Sequence, residues 1–193
     1  MQQGLSMTTR RRRSDAKTNI AKIVAAAQQE FARDGASATL SRIAEAAGVG
    51  DATLYRHFPN RQALAEAVYQ EVFEARIKPA ILALADAPAE AYIEALAELE
   101  EVMAEQRPLL SSLEDLAGLT VRLILRDRQL FDESLGRAQR SGNVRDDLSS
   151  EEVATFVVML CTASVAMQHS EPARRRYLSL MIDALRPVNE RRR

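Results

Sequence analysis

The chain has 193 residues, enough for one large domain or two small ones. Only seven glycines, six prolines and 5% aromatic residues accompany 47% hydrophobic residues, a balance that predicts an all-α fold. The net charge of −1 conceals a gradient: residues 1–61 hold ten Lys/Arg against five Asp/Glu, while residues 62–193 hold sixteen against twenty-two. A basic end on an acidic body suits a protein that turns one face to a polyanion. The basic start has no apolar segment of about 7–15 residues behind it, so it does not read as a secretory signal. The longest apolar run, Val153 to Met167, is short for a membrane span and reads as a buried helix, with no membrane role expected. One cysteine, Cys161, excludes an internal disulfide framework and agrees with a cytoplasmic location. No phosphate-binding Gly-rich loop or nucleophile elbow occurs, and two histidines give little basis for a metal site or His-dependent catalysis. Neither an enzyme nor a cofactor is expected.

Residues 1–16 are predicted to be an irregular, flexible arm whose one feature is Arg10 to Arg13. Such an arm either threads the minor groove of DNA or stays a solvated tail. Ile20, Ile23, Val24, Ala27 and Phe31 then form a helical stripe that ends at Asp34-Gly35. Leu40, Ile43, Ala44 and Ala47 fall at i, i+3, i+4 and i+7, so a short amphipathic helix follows, with Thr39 placed to cap it. Gly48 is suited to the left-handed conformation that ends this helix, because it has no Cβ to clash. Val49 plugs the corner, and Gly50 opens a second short helix through Leu54 to about Phe58. Two short helices broken by a glycine are the arrangement that lets the second enter a DNA major groove.

Pro59-Asn60-Arg61 starts a further helix, with Leu64, Val68 and Val72, expected to run to Lys78 and stop at Pro79. A short segment at Ile81–Ala85 comes next, then a longer one after Pro88 with Tyr92, Leu96, Leu99 and Met103 on one side. Arg107-Pro108 breaks it. Leu109 to about Ala117 and Leu119 to Arg140 are predicted helices, the latter ended by Ser141-Gly142-Asn143. Ser149 and Glu152 form a capping box ahead of the helix that contains Cys161 and His169. A last helix starts near Pro172 and carries Tyr177, Met181, Ile182 and Leu185. About nine helices and no strands result.

The run from Thr18 to about Tyr69 resembles the DNA-binding domain of the TetR family of transcriptional regulators. Phe31, Gly35, Ile43-Ala44, Ala47-Gly48-Val49, Thr53-Leu54-Tyr55, His57-Phe58, Arg61 and Leu64 carry the resemblance. The remainder is similar, more weakly, to regulators with an SbtR-like C-terminal domain, through Arg137-Ala138-Gln139, Gly142, Val144 and Arg145 to Leu148. The resemblance implies a helix-turn-helix domain over 17–62, a regulatory and dimerisation domain over 63–188 and a basic tail over 189–193. It implies a homodimer joined through helices at about 150–169 and 172–186. It also implies double-stranded DNA as a partner, contacted by Arg42, Gly50, Asp51, Ala52, Thr53, Tyr55, Arg56, His57 and Arg61.

The hydroxyls of Thr53 and Tyr55 and the imidazole of His57 suit phosphate oxygens, and Arg42 and Arg61 add charge. Arg56 faces either solvent or DNA. Many family members have lysine where this chain has Asp51. A carboxylate there either favours the helix N-terminus or accepts from a cytosine amine, and base readout by so short a polar set leans on DNA shape. Cys161 reads as a small buried hydrophobe, and His169 as a partner of a helix C-terminus. The runs Arg174 to Arg176 and Arg191 to Arg193 are solvated charge, the former placed to meet acids across a dimer.

The function expected is a repressor released from a palindromic operator by a small apolar effector. The competing class is a DNA-binding regulator controlled by a protein partner or by redox state. An effector pocket among the middle helices is expected to be lined by Phe73, Met103, Leu113, Leu116, Ile124, Phe131, Met159 and Met167.

Overall fold

The computed structural model describes residues 4–88, 92–166 and 171–187, and every regular element in them is helical. In chain order these are α1 (Gly4–Asp34), α2 (Leu40–Ala47), α3 (Asp51–His57), α4 (Arg61–Val72), α5 (Lys78–Asp86) and α6 (Tyr92–Glu105). They continue as α7 (Arg107–Leu110), α8 (Leu116–Arg126), α9 (Arg128–Arg140), α10 (Ser150–Ala166) and α11 (Glu171–Asp183). A 3₁₀ turn (Gly35–Ser37) follows α1, and a π-turn (Phe73–Ile77) joins α4 to α5. The all-α architecture agrees with the sequence, and four boundaries differ from those expected.

The backbone is helical from Gly4, where an irregular arm was expected, because neither glycine nor proline interrupts residues 5–34. Pro79 does not stop the helix that begins at Arg61. It lacks the N–H that would reach back one turn, and the wider π-turn just ahead of it lets the chain continue into α5. The helix expected over Leu109–Ala117 shrinks to the four residues of α7, because Asp115 starts α8 instead, its carboxylate accepting from the Gly118 N–H at 2.8 Å. The long helix expected over Leu119–Arg140 breaks at Asp127 (φ −108°, ψ 36°). There the Asp127 carboxylate meets Lys78 Nζ at 2.5 Å, and Lys78 also reaches Glu74 at 3.1 Å. This hydrogen bond holds the Asp127 carboxyl below its usual range and raises the Lys78 ammonium above its own. The break between α8 and α9 is thus pinned to the start of α5.

The main apolar core runs from Ile23 in α1 to Ala154 in α10 and includes Phe31, Ile43, Leu54, Leu64, Val68, Tyr69, Phe73 and Leu110. The buried Tyr69 hydroxyl lies 2.7 Å from Thr120 Oγ1. Thr120 donates its one proton to the Leu116 carbonyl at 2.7 Å, so Tyr69 donates to Thr120. A smaller cluster of Leu160 and Ile182, with Phe156 and Met181 against it, joins α10 to α11. The expected capping box is formed: the Ser149 N–H donates to Glu152 Oε2 at 2.8 Å, and the Glu152 N–H to Ser149 Oγ at 3.3 Å.

Among the described residues three glycines, Gly35, Gly48 and Gly142, sit at left-handed turns that a side chain would strain, and the first two flank the DNA-binding helices. Gly48 (φ +66°) closes α2 with the Val49 N–H donating to the Ala44 carbonyl and its own N–H to Glu45, and a Cβ there would meet nothing. Gly35 (φ +51°) also faces α7, where a Cβ would stand 3.3 Å from the Pro108 carbonyl oxygen. Gly48→Ala is therefore expected to cost about 1 kcal/mol of stability, and Gly35→Ala more, because it adds a clash to the backbone strain. Urea titration of the two variants checks the order, and equal losses would mean that α7 gives way freely.

Candidate nucleic-acid interface and effector cavity

The helix-turn-helix is built from α2, the Gly48 turn and α3. Ile43, Ala44, Ala47 and Leu54 are buried and Val49 is half-buried against them, so the crossing of the two helices is fixed from inside. That packing decides what α3 shows to solvent. Asp51, Ala52, Tyr55 and Arg56 are exposed, Thr53 and His57 are half-buried, and Leu54 and Phe58 belong to the core. Ala52, Tyr55 and Arg56 fall at i, i+3 and i+4 and form one outward stripe, with Tyr55 49% exposed. Arg56 therefore shares the face of Tyr55. Gly50 is exposed and extended, the residue from which α3 starts. Asp51 lies 3.4 Å from the Ser41 hydroxyl, which donates to it across the turn, and it occupies the first turn of α3. Thr39 holds the capping position of α2, but its side chain makes no cap hydrogen bond.

The two arginines expected to face phosphate are held differently. Arg42 reaches Asp34 at 2.8 Å and Glu30 at 3.5 Å, and Arg33 reaches the same two carboxylates at 3.2 and 2.5 Å. The hydrogen bond from Arg33, with the charge of Arg42 added, holds the Asp34 carboxyl below its usual range. Arg42 thus ties α2 to the end of α1. Arg61 turns inward: its guanidinium carbon is 5.5 Å from the centre of the Phe31 ring, and Nη2 donates to the Gly35 carbonyl at 3.4 Å. Its Nε is buried without a hydrogen-bond partner among the described residues, as is Nε2 of His57.

An apolar cavity of about 80 Å³ opens among α5, α6, α8, α9, α10 and α11. Of the lining residues expected, Ile124 and Phe131 border it. Phe73, Met103 and Leu116 are core residues away from it, Leu113 is half-buried against that core, and Met159 is 49% exposed on α10. Met167 and His169 lie outside the described residues, as does the run at 191–193, and the Cys161 side chain is not described. The cavity is bordered instead by Ile81, Leu82 and Ala85 of α5, Leu99 of α6, Ser134, Leu135 and Ala138 of α9, and Ala154, Phe156 and Leu160 of α10. Large apolar side chains fill space, whereas Ala85, Ser134, Ala138 and Ala154 leave it. Small residues on the inward stripe Phe131–Ser134–Leu135–Ala138 were the sequence signal for it.

The segment that carries the second resemblance frames this cavity. Arg137 forks onto Asp86 at 2.9 and 3.1 Å, and Gln139 Nε2 donates to the Arg145 and Leu148 carbonyls at 3.2 and 3.0 Å. Asn143 Nδ2 donates to the Ala87 carbonyl, and the Arg145 N–H to the Leu185 carbonyl at 2.8 Å. These bonds join the end of α9 to α5 and α11. Among the described residues no group of three or more His, Cys, Asp or Glu is placed to hold a metal ion, and no helix is long and apolar enough to cross a membrane.

Residues 23–68 match the family described as bacterial regulatory proteins, tetR family, and residues 87–187 match the transcriptional regulator SbtR-like, C-terminal domain. No curated protein matches the chain. A TetR transcription regulatory protein from Mycobacterium vanbaalenii is 28% identical, with 91% of this chain and 99% of that one covered and a TM-score of 0.53. The fatty acid degradation regulator FadR of Bacillus halodurans shares the fold at 21% identity, covering 90% of this chain and 97% of its own, with a TM-score of 0.57. A TetR family transcription regulator from Marinobacter aquaeolei VT8 shares it at 19% identity, covering 91% of this chain and 98% of its own, with a TM-score of 0.51. The chain belongs to the TetR family of transcriptional regulators and carries an SbtR-like C-terminal domain. Regulators of this family bind DNA through the helix-turn-helix and act as dimers.

Removing Arg61 is expected to cost stability first. Arg61→Ala gives up the contact with Phe31 and the bond to Gly35, together about 1–2 kcal/mol, and Arg61→Lys restores the charge without the flat stacking surface. Circular-dichroism melting should show both variants below the parent. A parental midpoint combined with weakened DNA binding would return Arg61 to the phosphate backbone.

Proposed function

We propose that the protein is a homodimeric repressor that binds a near-palindromic operator in the cytoplasm and leaves it when a small apolar effector enters the cavity. The cavity carries this reading. Among the described residues its lining has no ionisable side chain, and its helices α6, α8, α9 and α10 contribute to the same continuous core as α1 and α4. An apolar ligand there can bias the placement of the helix-turn-helix through packing alone, with a coupling of about 1–3 kcal/mol. The dimer is supported by exposed apolar side chains on the last two helices: Met159 on α10, and Tyr177 and Leu180 on α11, the last 56% exposed. A pair of equivalent α3 helices related by a two-fold axis reads two half-sites about one helical turn apart.

Within this reading Tyr55 and Arg56 meet the DNA backbone, Gly50, Ala52 and Thr53 allow the close approach of α3, and Asp51 sits at its N-terminus. Arg56→Ala is expected to weaken binding to operator and unrelated duplex alike, and to lower the slope of log K against log salt by about one. Tyr55→Ala weakens both without changing the slope by as much. Fluorescence anisotropy over a salt series measures this, and an unchanged slope for Arg56→Ala would place that side chain away from phosphate.

Two further variants separate dimerisation from induction. Leu180→Glu, a charge in the exposed face, is expected to give monomers in size-exclusion chromatography and to abolish operator binding. Leu135→Trp, which fills the cavity, is expected to leave operator affinity within a few-fold while blocking release by the inducing compound. A Leu135→Trp protein that still leaves the operator on the same signal would point to control by a protein partner.

A further inference from the structure

Four polar residues are buried in the described part of the chain: Glu30, Ser112, Thr120 and Ser134. Three have partners. Glu30 pairs with Arg33, Ser112 donates to the Pro108 carbonyl at 3.0 Å, and Thr120 donates to Leu116 and accepts from Tyr69. Ser134 is 2% exposed, lines the cavity, and its Oγ has no hydrogen-bond partner among the described residues. A buried hydroxyl without a partner is destabilising, and serine in mid-helix also propagates helix less well than alanine. Both effects favour alanine at position 134 if the only requirement were a folded core. Among the described residues the other polar side chain at the cavity is Ser150, at the opening turn of α10. A water there would find fewer side-chain partners than the three it usually has.

We propose that Ser134 is the specificity-determining contact of the effector cavity and that it selects an uncharged molecule with an apolar body and one hydroxyl or carbonyl group. This rests on the cavity being the effector site. The hydroxyl both donates and accepts, so it satisfies either an alcohol or a ketone. The uncharged character follows from the lining. With no ionisable side chain at the cavity among the described residues, a carboxylate or ammonium inside it would be buried without a counter-ion, whereas a neutral polar group needs only one hydrogen bond. The apolar body would lie against Ile81, Leu99, Ile124, Phe131 and Leu160, which border the same space from four other helices as well as α9.

The test uses the full chain with three probes that share one ring: toluene, benzyl alcohol and benzoate. Their dissociation constants are measured by calorimetry for the parent and for Ser134→Ala, with Ser134→Cys as a second variant that keeps most of the volume but is a weak donor. The parent is expected to bind benzyl alcohol and toluene and not benzoate. Ser134→Ala should weaken benzyl alcohol by about 3- to 10-fold while leaving toluene within about two-fold, and Ser134→Cys should show the same preference loss. Ser134→Ala should also melt no lower than the parent. Benzyl alcohol and toluene weakened or kept equally by Ser134→Ala would overturn the role of Ser134 and leave the cavity standing as the effector site. Benzoate bound as tightly as benzyl alcohol would overturn the uncharged class. If none of the three binds the parent, the cavity itself fails as a ligand site, and this inference fails with it.

Discussion

The hydroxyl of Tyr69 sits on that of Thr120 at the centre of the molecule, and much of the architecture depends on that contact. The buried Tyr69 hydroxyl has its partner in Thr120, and moving α4 along α8 would give up that hydrogen bond at a cost of about 1–3 kcal/mol, which favours one register between the two helices. Thr120 is oriented in turn by its bond to the Leu116 carbonyl. Since α4 also packs on α1 through Leu64 and Val68, the placement of the DNA-binding helices and that of the regulatory helices are set by one element. The core of the helix-turn-helix and the core of the regulatory part are therefore a single body of side chains, with α4 as the shared wall.

A second route joins the same two parts. Helix α7 is only four residues long, yet it lies against the end of α1, with Pro108 close over Gly35, and the Glu114 N–H donates to Gln62 Oε1 at 3.3 Å. Arg61 closes the other side of Gly35 and stacks on Phe31. The turn after α1 is thus held from the regulatory side by α7 and from the DNA-binding side by Arg61. Through α7, helix α6 on the regulatory side is thus in contact with the end of α1, on which α2 packs.

Much of this was legible in the sequence. The helix-turn-helix was, since its two apolar stripes, the glycine between them and the inward Leu54 and Phe58 are local patterns with local physics. The capping box at Ser149 was, for the same reason. What was not legible depends on distant partners. The break at Asp127 requires Lys78, which lies 49 residues away in sequence. The inward turn of Arg61 requires Phe31 and Gly35, and the neutralisation of Arg42 requires two carboxylates on α1, so both arginines looked like free cations in the linear pattern. Most of the lining of the apolar cavity is not legible for a different reason: large apolar side chains stand out in a sequence, whereas Ala85, Ser134, Ala138 and Ala154 leave the space by being small.

The π-turn at Phe73–Ile77 is a phase correction. Tyr69, Phe73, Ile77 and Ile81 recur every four residues, and in a regular α-helix of 3.6 residues per turn such a stripe would creep round the axis by about 40° at each step. A turn that closes over one extra residue takes back about 100° of that rotation, so all four side chains stay on the buried side. The same rod can therefore present one flank to the DNA-binding helices and, further along, that flank's continuation to the cavity. A length change of one residue in this segment would alter the angular setting of everything beyond it, and the spacing of the stripe records that the chain has been tuned to the wider coil.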